Sequence, residues 1–285
     1  MLRPFPSFLA TLALTGLAAC GAGKGGEPQS TIARDRVAES PAGDALLQVP
    51  ESPVEVRPTW ADQSDLAFEA WAAELASGPT PTWNAASLDA LTAGLERSGM
   101  DATRAAILLA YDPGQAATER LIATLERRHV APTRGEDAGD IVAAAALELR
   151  PLTRDQRARL QELVVGQPHH PDLEVRIEIA AAALNAPEAQ GMAPEPDQGV
   201  GAFLVRVLRA ETPAQQDDPG DWKRTTNLAW AKSRSAQALN RALGLSLECR
   251  PDGSWAYQME VAQEFADALS KSNGSDSPEG RNAGQ

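Results

Sequence analysis

The stretch DLEVRIEIAAAAL, residues 172–184, decides the fold class that this sequence predicts. Its apolar residues occupy nearly every face of a helix with 3.6 residues per turn, and no alternation of period two is present. A helix that is apolar nearly all round has to be covered nearly all round. Two Ala-rich segments of the same kind, 101–111 and 139–149, lie upstream. The sequence therefore predicts a row of buried inner helices.

Charged amphipathic segments with a narrow leucine stripe alternate with these apolar ones, at 85–98, 114–128 and 153–165. Antiparallel pairing of the two kinds, followed by stacking of the pairs, covers each apolar helix. Proline and glycine separate the segments, and Thr153 with Gln156 predicts a capping box. Flanking helices are predicted at 62–77, 200–210, 222–243 and 255–269. The predicted fold is an all-α solenoid of about four antiparallel helix pairs plus flanking helices.

An aspartate followed by an arginine opens two inner helices: Asp101 with Arg104, and Asp172 with Arg176. Around the second pair the sequence resembles the D-x-x-V-R-x-x-A-A-x-A-L pattern of HEAT-type repeats, and the resemblance extends over roughly residues 85–243. It implies structural roles, in which the carboxylate caps a helix N-terminus and the arginine bonds to a neighbouring repeat. These four residues are therefore expected to be scaffold positions.

The N-terminus has the pattern of a secretory signal peptide, with Arg3 before an apolar run that is too short to span a bilayer comfortably. Leu17-Ala18-Ala19-Cys20 at its end resembles the lipobox of bacterial lipoproteins. An ordinary signal peptide or a buried N-terminal helix does not explain this tetrad. The resemblance implies cleavage after residues 1–19 and acylation of Cys20, palmitate included. Gly21 resembles the sorting position of lipoproteins sent to the outer membrane, facing the periplasm, in Gram-negative cells.

Composition divides the remaining chain into three parts. Residues 20–59 are rich in glycine and proline and predict a lipidated cysteine followed by a disordered tether of about 35 Å reach. Residues 60–270 predict the HEAT-like repeat domain, and 271–285 a disordered tail. The net charge of −13 disfavours binding to nucleic acid. With Cys20 acylated, Cys249 is left without an intramolecular disulfide partner.

Two adjacent histidines, His169 and His170, are the weak candidates for a metal site. A metal would need further ligands in a defined geometry, and the pair is flanked by prolines without an H-E-x-x-H motif. A turn between helices is the preferred interpretation. The sequence also lacks the common nucleophile and phosphate-binding signatures. No catalytic residue, cofactor or metal is therefore expected.

All six tryptophans lie outside residues 84–221. Trp222 and Trp230 are eight residues apart, so on one helix they lie on the same or adjoining faces. They are candidates for an interaction surface, because aromatic rings dominate many interfaces. The preferred alternative is that the tryptophans cover the exposed ends of the stack.

The leading functional hypothesis is a membrane-anchored extracytoplasmic lipoprotein whose HEAT-like domain is a non-enzymatic scaffold for another protein. This hypothesis depends on analogy of fold and on missing catalytic motifs. Two alternatives stay open. One is a lipoprotein that binds a small ligand or a glycan in a tryptophan-lined pocket, and the other is an all-α metal-dependent hydrolase that uses His169 and His170.

Overall fold

The structure is a computed structural model and describes residues 53–97, 99–130, 138–189, 196–210 and 221–272. These residues form helices and no strand, with two isolated bridges between loops. The helices are α1 (Asp65–Ser77), α2 (Ala85–Leu95), α3 (Met100–Tyr111), α4 (Gln115–Val130), α5 (Ala138–Leu147), α6 (Arg154–Val165), α7 (Leu173–Asn185), α8 (Gln198–Leu208), α9 (Asp221–Leu243) and α10 (Trp255–Ser272). The predicted signal peptide, Cys20, most of the tether and nearly all of the tail lie outside the described residues.

The helices form two parallel rows. Helices α1, α3, α5, α7 and α9 contact one another in series in the inner row, and α2, α4, α6, α8 and α10 do the same in the outer row. Contacts between rows pair α2 with α3, α4 with α5, α6 with α7, and α8 with α9. This serial stacking confirms the predicted all-α, solenoid-like arrangement.

The burial pattern follows the two kinds of sequence. Most residues of α3, α5 and α7 are buried, and their many alanines let neighbouring helices approach closely. Gly139 of α5 lies against the backbone of α3, where an added Cβ would come within 2.8 Å of the Ala102 carbonyl carbon. Outer helices bury a single stripe, as in α6 with Leu160, Leu163 and Val164.

Helices α6 and α7 begin at the capping residues that the sequence predicts. Thr153 accepts from the Gln156 N–H, and the Gln156 side chain accepts from the Thr153 N–H, which confirms the capping box at α6. Asp172 caps α7 by accepting from the Val175 N–H at 2.9 Å. Asp101 does not cap α3, because the N-cap is Gly99, with a φ of 69°. The Asp101 carboxylate lies in the first turn and pairs with Arg97 at 3.0 Å.

The packed region begins before residue 60, where the tether was expected to end. The buried Val56 donates its N–H to the Ser87 hydroxyl at 2.8 Å, which attaches this segment to α2. Trp60, Trp71 and Trp83 are all buried at this first end of the stack. The Trp83 indole N–H donates to the Leu108 carbonyl of α3 at 2.8 Å, and the Trp60 ring lies against Gly94 of α2.

Candidate binding site

A cleft of about 420 Å³ opens where the end of α6, the start of α7, α8 and α9 meet. Apolar and basic side chains line it together. The apolar residues include Val165, Leu173, Phe203, Val207 and Leu228, and the polar ones are Gln167, His169, Arg176 and Arg206. A mixed lining of this kind suits a ligand that carries both an apolar part and a negative charge.

The turn between α6 and α7 shapes the mouth of the cleft. The Gly166 N–H closes α6 by donating to the Glu162 carbonyl, and the His170 N–H folds the turn back onto the Leu163 carbonyl, both at 2.8 Å. His170 is buried, and its Nδ1 accepts from the Asp172 N–H at 3.3 Å. This arrangement leaves His169 exposed beside the cleft.

Arg176 is held in place from two sides. Its Nε–H donates to the Val164 carbonyl at 2.6 Å, and its guanidinium lies over the Phe203 ring, 4.2 Å from the centroid. Burial lowers the pKa of Arg176, and the positive charge of Arg206 lowers that pKa further. Within the described residues, neither Arg176 nor Arg206 forms an ion pair with a carboxylate.

The two candidate metal ligands do not converge. The His170 ring faces the interior of the turn, whereas His169 is exposed and its Nδ1 lies 3.2 Å from the His170 carbonyl oxygen. In the part of the chain that the structure describes, no group of three His, Cys, Asp or Glu side chains could hold a metal ion. The geometry of this pair is that of an inter-helix turn.

Several buried arginines bond to main-chain carbonyls. Arg104 donates to the Ala61 carbonyl and to Asp65, each at 2.7 Å, which is the kind of contact that the HEAT resemblance implies. Arg150 donates to the Leu109 carbonyl at the end of α3, and burial lowers its pKa to about 10. The positive charge is favourable there because the last carbonyls of a helix carry partial negative charge.

One buried ion-pair cluster crosses the inner row. Arg234 of α9 bonds both oxygens of Glu178 on α7, at 2.8 and 2.7 Å, and reaches Glu148 just after α5 at 2.5 Å. These two carboxylates raise the pKa of Arg234 against the opposing effect of its burial. Arg241 makes a more exposed contact with Glu148 at 3.1 Å. The arrangement ties α5, α7 and α9 together, and sequence reasoning missed it.

Trp230 and Trp255 lie apart from the cleft lining. Trp230 on α9 is 37% exposed, and the side chain of Trp222 lies outside the described atoms. Trp255 is 42% exposed, with the Lys232 Nζ atom 5.2 Å from its ring centroid. Neither Trp230 nor Trp255 contributes to the 420 Å³ cleft.

Comparison with known proteins finds no matching family model, no matching curated protein and no matching solved structure. The resemblances to HEAT repeats and to lipoproteins therefore stay expectations from the sequence. Within the described residues, no helix combines the length and the apolar character needed to cross a bilayer.

Proposed function

We propose that this protein is a membrane-anchored extracytoplasmic lipoprotein whose helical stack is a non-enzymatic scaffold for another protein. The observation that carries the proposal is the cleft between α6, α7, α8 and α9, where exposed apolar side chains border two arginines. Val165 is 37% exposed and Leu173 is 45% exposed at its edge. Arginine is enriched at protein interfaces, and the buried core of an interface is more apolar than the rest of the surface.

The surrounding architecture supports a binding role. Stacked helix pairs present extended surfaces that bind partners through contact area and shape. Arg104, Arg150 and Arg234, which lie away from the cleft, are bonded to carbonyl or carboxylate oxygens within the fold. Their contacts have a structural purpose, whereas the cleft arginines retain capacity for a partner.

The anchor is tested by the membrane fraction. Replacement of Cys20 by alanine is expected to move the protein to the soluble fraction, because acyl chains contribute about 0.8 kcal/mol of membrane affinity for each buried methylene. Cys249→Ala is the matched control, since that thiol lies in the helical domain and is half-buried. A Cys20→Ala protein that stays in the membrane fraction would exclude lipidation.

The scaffold role is tested by site-specific photocrosslinking in the native cell. A photoreactive residue at Leu173 lies at the cleft, and the same residue at Leu66 is the control, because Leu66 is 78% exposed on α1. The expected result is one discrete protein adduct from position 173 and none from 66. Equal labelling at both positions, or no protein adduct at 173, would contradict the proposal.

A further inference from the structure

We infer that the cleft binds an acidic segment of the partner protein, with a carboxylate at Arg176 and Arg206 and a neighbouring apolar side chain against Leu173. The inference rests on the proposed function and adds the chemistry of the partner. The charge of the cleft differs from that of the whole chain. The chain carries a net charge of −13, yet this cleft brings two arginines together.

Arg159 shows how a guanidinium group of this chain is bonded when carboxylates lie nearby. Arg159 bonds Glu126 through two nitrogens and Glu119 through a third contact, at 2.7 to 2.8 Å. Arg176 uses only its Nε–H, toward the Val164 carbonyl, among the described residues. A guanidinium has five N–H donors, so four remain for a ligand. A carboxylate matches this planar fork in a bidentate geometry.

Repulsion between the positive charges of Arg176 and Arg206 favours the binding of an anion. Arg176 and Arg206 line the same cleft, so their positive charges repel each other; burial lowers the pKa of Arg176, and the charge of Arg206 lowers it further. A bound carboxylate would replace this repulsion with two attractions. Arg176 is also held by its hydrogen bond and by the Phe203 ring at 4.2 Å, so little side-chain freedom is lost on binding.

The shape of the cleft favours a protein segment over a small molecule. Its volume of about 420 Å³ lies within the range of roughly 300–1,000 Å³ that is usual for small-ligand pockets, so the openness of the rim, and not the volume, makes the distinction. Pockets for small ligands bury most of the ligand surface, whereas here Leu173, Val165 and Arg206 leave the rim exposed. The apolar rim indicates that large aliphatic side chains flank the acidic residue.

The test uses the full-length protein and a defined probe. A fluorescein-labelled peptide of alternating glutamate and leucine is titrated with the protein and followed by anisotropy, beside a peptide in which glutamine replaces glutamate. Arg206→Gln is expected to weaken binding of the glutamate peptide by about threefold to fivefold, because Arg206 is exposed and an exposed charge pair contributes up to about 1 kcal/mol. Arg209→Gln is the matched control, because Arg209 is exposed, directly follows α8 and bonds Gln263 instead of lining the cleft. It is expected to change the affinity less than twofold.

Arg176→Lys keeps the charge but removes the planar fork, and it is expected to weaken binding of the glutamate peptide as well. Thermal unfolding of each variant separates a binding defect from a folding defect. Equal weakening by Arg206→Gln and Arg209→Gln would overturn the inference, because it would show only diffuse electrostatics. Equal affinity for the glutamate and glutamine peptides would also overturn it.

Two further outcomes would assign the cleft to another occupant and overturn the inference. N-acetylglutamate that binds as tightly as the peptide would make the ligand a small carboxylate. The sequence also contains an acidic pair, Asp217 and Asp218, a few positions before α9. If the peptide binds only after both are replaced by asparagine, this pair is the occupant that the peptide has to displace. The proposed scaffold role is judged separately. An adduct at Leu173 with no peptide binding removes only the inference. Peptide binding without an adduct removes the scaffold role and, with it, the partner protein, and leaves only the preference of the cleft for an acidic peptide.

Discussion

Removal of Arg234 provides a stringent test of how the stack is held together. The Arg234 side chain is 9% exposed, and its partners Glu178 and Glu148 are 2% and 5% exposed. Arg234→Met leaves both carboxylates buried without this cation. Removal of one partner from a buried ion pair costs about 3–5 kcal/mol. Since domains are stable by only about 5–15 kcal/mol, the free energy of unfolding should fall by a large fraction.

Arg241→Met is the matched control. Arg241 contacts the same Glu148 carboxylate at 3.1 Å, but its side chain is 52% exposed. An exposed ion pair contributes less than about 1 kcal/mol, because water and salt screen it. Urea unfolding followed by circular dichroism at 222 nm measures both variants in the Cys20→Ala protein. Similar losses for Arg234→Met and Arg241→Met would refute the reasoning.

A rescue variant separates the loss of attraction from the cost of unpaired charge. When Glu148 and Glu178 are also replaced by methionine, no carboxylate of this cluster is left without a cation. Replacement of a whole buried ion pair by apolar residues of similar volume is often neutral or stabilising. The triple variant should therefore recover most of the stability that Arg234→Met loses. A triple variant that is less stable than Arg234→Met would show that the side chains are needed for their shape instead.

Two further predictions concern packing and the free thiol. Gly139→Ala should destabilise the protein by about 1–3 kcal/mol, because the new methyl meets the Ala102 backbone and overpacking outweighs the gain of about 1 kcal/mol in helix propensity. Gly201→Ala should cost less in the same urea assay, since the three atoms nearest to its added methyl all belong to the Leu269 side chain, which yields more easily than a backbone. A stabilising Gly139→Ala would contradict the close approach of α3 and α5. Burial raises the pKa of the Cys249 thiol, so its thiolate fraction at pH 8 is lower than that of an exposed thiol. In the Cys20→Ala protein, alkylation of Cys249 should be slower than alkylation of glutathione and should accelerate only at higher pH. Equal alkylation rates for Cys249 and glutathione would contradict the burial of Cys249.

The helices could be predicted closely because their signals are local. The segment 172–184 forms α7 at Leu173–Asn185, and the segment 153–165 forms α6 at Arg154–Val165. Apolar spacing, capping residues and prolines act within a few positions of each other. Asp101 shows the limit of such patterns, since Gly99 starts α3 two residues earlier. The exact cap depends on a backbone conformation that the repeat pattern does not specify.

The cleft could be predicted only in part. Arg176 and His169 stood out in the sequence, one as a scaffold position and the other as a weak metal ligand, and the structure places both in the cleft lining. The sequence did not indicate a role for Phe203 or Arg206, because the segment around them has the pattern of an ordinary amphipathic helix. Their importance follows from the packing of α8 beside the start of α7, which brings Phe203 under a guanidinium 27 positions away along the chain.

The sequence by itself determined that the chain forms alternating apolar and amphipathic helices, since a helix that is apolar on nearly every face has to be covered by neighbours. Only the tertiary structure decided which charges meet. Glu148 and Arg234 are 86 positions apart and come together because α5, α7 and α9 follow one another in the inner row. Arg176 and Arg206 likewise face one cleft because α7 and α8 pack side by side. Helix periodicity is a property of neighbouring residues, whereas partners for buried charges depend on how successive helices are stacked.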